Sequence, residues 1–248
     1  MRIKNILFCF SILLSFQAGA SPHFNTVSVQ PGSRYDNGYP EAKYNEVLNI
    51  LKKVYGPIIE AKGGSFHILQ DWSDGAVNMW AFRLGSEYWL EMPGGMSRYN
   101  LINEEGFLLS ACHELGHLLG GTPFKGSSQS ISLEGQSDYY ATLDCIDKVL
   151  TEVKPYKKVS PNEEVQSLCK QKNKDLSLSL CHRTLSGALS LTSYYAELEK
   201  SPFPKFSRPS KTVVRETLKI HPPAQCRLDT FLAGYQKKER PKCWYFKP

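Results

Sequence analysis

Residues 103–121 read NEEGFLLSACHELGHLLGG. Within them, His113-Glu114-Leu115-Gly116-His117 has the form H-E-x-x-H. Two histidines four positions apart lie one above the other on a helix, so both imidazoles can reach one Zn²⁺. The surrounding pattern predicts that helix over residues 103–119. Asn103 is its N-cap, Glu104 and Glu105 favour its first turn, and Gly120-Gly121 stops it. Gly106, Ser110, His113, His117 and Gly120 share one stripe, while Phe107, Leu108, Ala111, Leu115, Leu118 and Leu119 fill the opposite side. The expectation is a buried leucine face and a histidine face floored by small residues, with room for an ion and a substrate. Glu114 projects beside that face, where a carboxylate can take a proton from water.

A catalytic zinc keeps three protein ligands and one water. A metzincin would supply a third His ten residues after the first, and that position is Pro123. The alternative is an acid on a following helix. Glu134-Gly135-Gln136-Ser137-Asp138 has the form E-x-x-x-D and begins 134 − 117 = 17 residues after the second His. A second helix over residues 133–150 puts Glu134, Asp138, Ala141 and Cys145 on one face. The expected centre is one Zn²⁺ per chain on His113, His117 and Glu134. Glu114 is the general base, and Asp138 accepts the free N–H of a ligand histidine, fixing its tautomer.

Outward from these helices, residues 65–70, 76–84 and 87–92 have strand character, broken by Asp74-Gly75 and Gly85-Ser86, which suggests an antiparallel meander. Residues 41–59 have helical spacing, and residues 21–40 read as a loose leader. Residues 154–174 read as a charged surface connection, 176–200 as helix and 201–210 as irregular. Residues 211–234 read as helix around a Pro222-Pro223 break. Strands followed by helices predict an α+β fold in one domain over residues 21–248, with a small sheet packed on the two metal helices. A polypeptide substrate would lie extended along an edge strand, within 76–84 or 87–92.

Residues 1–20, MRIKNILFCFSILLSFQAGA, have a basic start, a short apolar run and a small-x-small end, the pattern of a cleaved export signal. No later stretch is long and apolar enough to span a bilayer. Six cysteines follow: Cys112, Cys145, Cys169, Cys181, Cys226 and Cys243. An even count in an exported protein implies disulfides. Cys226–Cys243 is the favoured pair, a link worth about 3 kcal/mol in the chain-entropy picture, followed by Cys169–Cys181. Cys145 lies 145 − 134 = 11 residues past Glu134, about 16 Å along a helix. That is too far to reach Cys112 if Glu134 and His113 meet at the metal, so Cys112 and Cys145 are left open. The 30 Lys and Arg against 24 Asp and Glu give a net charge of +6. Read as dispersed, that charge is too weak to argue for nucleic acid.

The chain resembles the gluzincin peptidases of the prenyl-protein endopeptidase and HtpX heat-shock protease type. The resemblance runs over residues 78–232: Asn78-Met79-Trp80-Ala81, Tyr88–Met92, Gly94-Gly95-Met96, His113–His117, Glu134–Asp138, then His221-Pro222-Pro223 with Arg227-Leu228 and Leu232. It departs from that family at Gln136, in lacking membrane helices, and in its six cysteines. The resemblance implies a zincin-like metallopeptidase fold, zinc endopeptidase chemistry, and a place for His221 and Arg227 near the active centre. Peptide hydrolysis needs a donor to the oxyanion besides the metal, and His221, Arg227 or a tyrosine of Tyr139-Tyr140 is a candidate. The rival reading is a non-catalytic exported binding or envelope-assembly protein that keeps a zinc-bound zincin scaffold. Glu114 weighs against it, since a structural zinc needs no base. Oligomeric state is not legible in the sequence.

Overall fold

The computed structural model describes residues 27–126, 130–170 and 175–247. The expected export signal lies outside the described residues. Helix α1 (Glu41–Glu60) buries Tyr44, Val47, Leu48, Leu51, Tyr55 and Ile59, apolar side chains three and four apart that form one stripe against the sheet. The sheet has three strands, β1 (Ser65–Asp71), β2 (Trp80–Leu84) and β3 (Glu87–Pro93).

The sheet is mixed, and the expected meander is corrected. Its order is β1-β3-β2, with β1 parallel to β3 and β2 antiparallel to it. Residues 72–79 carry the chain past β3, and the buried guanidinium of Arg98 pins that crossing. Arg98 Nη1 donates to Trp72 O (2.7 Å) and Nη2 to Val29 O (3.0 Å) and Asp74 O (3.2 Å). The start of the chain is equally fixed. Val29 is buried and its N–H donates to Gly75 O (2.7 Å), while Asn37 Nδ2 donates to the carbonyls of Ser97, Tyr99 and Ile102. From residue 27 onward this segment is packed structure, not a loose leader.

After a short α2 (Gly94–Arg98), helix α3 (Glu104–Leu119) forms as its sequence dictates, with Asn103 Oδ1 accepting from Gly106 N at 2.7 Å. It is buried on all sides from Glu104 to Leu118. The small residues of its histidine stripe do not all leave open room: Ser190 of α7 (Asp175–Glu199) closes over Gly106. Helix α4 (Glu134–Tyr140) continues through a π-helical turn (Ala141–Cys145) into α5 (Ile146–Leu150). This composite helix runs antiparallel to α3, and the two touch at Gly116, where a Cβ would stand 2.6 Å from Ser137 O. Helix α6 (Glu163–Cys169) interrupts the expected surface connection, and α8 (Ala224–Tyr235) packs on α4 and α7. Residues 211–223 are not helical, contrary to expectation, because they run alongside the C-terminal tail instead.

Three disulfides are present. Cys226–Cys243 and Cys169–Cys181 match the favoured pairs. Cys112–Cys145 is also bonded, with Cα atoms 5.6 Å apart. The distance argument against it fails because Glu134 does not mark where the helices touch. Glu134 stands at the start of α4, close to where Ser132 N donates to His117 O (2.8 Å). The helices touch at Gly116 and Ser137, and from there α3 leads back to Cys112 while the composite helix leads on to Cys145 beside it.

Candidate metal centre

Helix α3 presents His113 and His117 on one face, with ring centroids 4.7 Å apart and planes nearly perpendicular. Each ring has its Nδ1 engaged. His113 Nδ1 meets Asp138 Oδ1 at 2.8 Å. His117 Nδ1 meets the Ser132 carbonyl at 2.8 Å, with Ser137 Oγ at 2.9 Å. An acceptor on each Nδ1 holds that ring's N–H, so Nε2 is the atom left facing the centre on both.

Glu134 enters from the first residue of α4. Its Oε2 is 3.3 Å from His113 Nε2, 3.6 Å from His117 Nε2 and 3.2 Å from His221 Nε2. Among the described residues it is the one buried carboxylate oxygen with no hydrogen-bond partner. His221 lies just before α8 and reaches in from the exposed side, its side chain 70% accessible. Glu114 flanks the cluster with Oε1 4.0 Å from His113 Nε2. The ligand-capable atoms of His113, Glu114 and His117 lie within 4.8 Å of one another, and Glu134 stands closer to both rings than Glu114 does to His113.

This donor set fits a divalent cation. Ligand atoms about 2.0–2.1 Å from a tetrahedral ion stand roughly 3.3 Å apart, which is the spacing around Glu134 Oε2. The charges agree. Glu114, Glu134 and Asp138 are buried with a single buried counter-cation, Arg227, an imbalance that a dication corrects. Without one, a proton is drawn in its place. Burial pulls the His113 imidazole down, but the Asp138 carboxylate overrides it and lifts it to about 9. Burial also raises Glu114. It pushes Glu134 the same way, yet the two imidazoles hold that carboxyl well below the usual range.

Behind the rings, Arg227 of α8 grips Asp138 with two parallel bonds, Nε to Oδ2 at 2.8 Å and Nη2 to Oδ1 at 2.7 Å. Asp138 is fully buried and stays ionised, because Arg227 and His113 outweigh the effect of burial. The Tyr195 ring of α7 packs 3.7 Å from the Arg227 guanidinium. Burial raises its phenol, and the nearby Asp138, Glu114 and Glu134 carboxylates add to that.

The structure therefore brings His113, Glu114, His117, Glu134, Asp138, His221 and Arg227 to one place. Tyr139 and Tyr140 are not part of it. The Tyr139 hydroxyl donates to Lys238 O (2.6 Å), and Tyr140 faces Tyr55 and Asp144. The tyrosine at the centre is Tyr195, which sequence reasoning missed; nothing in the spacing of its helix singles it out. Ser132 and Ser137 were also missed, being ordinary loop and helix residues until the fold places them under His117. Comparison with family models, with curated proteins and with solved structures finds no match.

Proposed function

We propose that the protein is an exported zinc-dependent endopeptidase of the gluzincin type. The observation that carries this reading is the convergence of three imidazole Nε2 atoms on the unpartnered Glu134 Oε2, with Glu114 beside them. His113, His117 and Glu134 would hold the ion, and His221 stands on its outer side. Zinc at this place supplies Lewis acidity that polarises a carbonyl and lowers the pKa of water.

The remaining chemistry belongs to the chain. Glu114, raised by burial, is suited to take a proton from the attacking water and return it to the leaving amine. Asp138 fixes the tautomer of His113, and Arg227 positions Asp138. Arg227 is committed to that pair, which leaves His221 and Tyr195 as the groups able to face a developing oxyanion. The sheet has two outer strands, β1 and β2, and β2 is the one beside α3: Met79, just before it, has its Sδ 3.3 Å from Ser110 Oγ, one turn before His113. An extended peptide would add there; β3, paired on both sides, has no edge to offer. Three disulfides suit an oxidising compartment, and no helix among the described residues is long and apolar enough to cross a membrane.

The test is metal analysis and peptide digestion with the wild-type chain and Glu114→Gln. One zinc per chain in both, with cleavage only in the wild type and abolished by a chelator, is the expected result. Equal zinc and no cleavage in either would support the scaffold reading. Absence of zinc from both would end the metal assignment.

A further inference from the structure

Counting charge by segment corrects the impression of dispersal. Residues 201–248 carry 11 Lys and Arg against Glu216, Asp229 and Glu239, a net of 11 − 3 = +8. Residues 1–200 carry 19 − 21 = −2. Arg227 spends its share of this excess inside the molecule on Asp138, but Lys211, Arg215, Lys219 and Lys242 belong to one layer at the surface. Residues 213–218 lie along the C-terminal tail: Val214 N donates to Lys242 O (2.9 Å), Leu218 N to Trp244 O (2.9 Å) and Phe246 N to Thr217 Oγ1 (3.2 Å). The tail is anchored by the Cys226–Cys243 bridge and by Trp244, which is fully buried.

On this layer Lys211, Arg215, Lys219 and Lys242 are exposed, and among the described residues no acid stands within ion-pair distance of them. Apolar side chains project beside them: Val213 is 67% exposed, Ile220 71% and Phe246 42%. A cleft of about 350 Å³ opens between the two strips, lined by Val213, Lys242, Tyr245, Phe246 and Lys247 among others. Single exposed apolar residues are ordinary, but several set among unpaired cations on one fixed layer are not.

We infer that this layer is a docking surface for an anionic lipid bilayer. The lysines and Arg215 meet headgroup phosphates, and Val213, Ile220 and Phe246 enter the boundary of the acyl region. A soluble polyanion would use the cations and leave the aliphatic side chains idle, which is why the bilayer is the better partner. Ile220 directly precedes His221, so docking sets the candidate metal centre at the lipid surface. Binding itself requires neither metal nor turnover, so it stands or falls separately from the peptidase reading.

The experiment is co-sedimentation of the mature chain with vesicles of phosphatidylcholine alone or mixed equally with phosphatidylglycerol. Binding to the mixed vesicles only, weakened by salt, is expected. The triple variant Lys211→Glu, Arg215→Glu, Lys219→Glu should bind about a hundredfold more weakly, given roughly fivefold per cation at such a surface. The triple variant Val213→Ser, Ile220→Ser, Phe246→Ser should lose about tenfold while keeping its charge. All six side chains are exposed, so both variants are expected to fold, and circular dichroism checks that. Failure to bind mixed vesicles overturns the proposal. So does binding that the apolar variant leaves unchanged, which would mark a site for soluble polyanions.

Discussion

Helix α3 carries a buried charge cluster at each end, and the two are built differently. At its start, Glu104 and Glu105 are met by donors, and neither keeps a buried oxygen without a partner. Tyr39 Oη and Tyr156 N donate to Glu104 at 3.0 and 2.6 Å, and Arg183 Nε donates to Glu105 at 2.9 Å. Arg183 Nη1 also donates to the Leu150 and Val153 carbonyls, tying α7 to the end of α5. At the far end, Asp138 is saturated by Arg227 and His113, but Glu134 keeps one buried oxygen without a donor. A cluster that serves architecture closes its carboxylates with hydrogen-bond donors. One built for a ligand leaves an oxygen without such a donor and sets it among other atoms able to ligate an ion.

The difference predicts opposite responses. Arg183→Ala should destabilise the fold by about 3–5 kcal/mol, because Glu105 is left buried and unpaired. Zinc bound per folded chain should not change. Denaturant midpoints and metal analysis check both halves, and loss of zinc here would mean that the two ends of α3 are one system. Glu134→Ala should do the reverse. Zinc affinity should fall by more than the roughly 10–100-fold that loss of an outer partner costs, with a smaller effect on the unfolding midpoint. Normal zinc binding in this variant would place the third ligand elsewhere. Asp138→Ala stands between the classes. Competition with a chromogenic chelator should show a loss of about 10–100-fold, accompanied by destabilisation from the stranded Arg227.

The smallest effect belongs to an outer carboxylate. Glu164 accepts from Phe206 N (3.1 Å) and Ser207 N (3.2 Å). Slight burial raises its pKa, but the Ser207 and Phe206 donors outweigh that and hold it below the usual range. A depressed carboxylate contributes stability above its unfolded pKa and loses it as pH falls through the folded one. Glu164→Gln should therefore cost about 1 kcal/mol or less near neutrality, and nothing at a pH below that range. Unfolding curves at the two pH values make the comparison.

Much of the centre was legible because helical spacing is a local property. Asn103 as cap, His113 and His117 on one face, and Glu134 and Asp138 one turn apart all follow from period alone, and α1 and the three strand cores follow from apolar spacing. The parallel pairing of β1 with β3 did not, because it depends on Arg98 pinning residues 72–79 from a helix further along the chain. Tyr195 was invisible for the same reason: its role exists only once α7 and α8 are packed. The Cys112–Cys145 pair was left open because a long Glu side chain was treated as the point of helix contact. The true contact is marked by Gly116, where only a missing Cβ lets the backbones meet.

Two of the three bridges sit one residue from a group at the centre. Cys112 precedes His113 and Cys226 precedes Arg227. The first bridge ties the histidine helix to the helix of Glu134 and Asp138, and the second fixes α8 to the tail. Until both have closed, the backbone segments that aim these side chains are held by packing alone. Thiol oxidation thus becomes a step in maturation. A newly made chain in a reducing compartment would lack two of the constraints on its metal pocket, and would acquire them on reaching surroundings where cysteines pair.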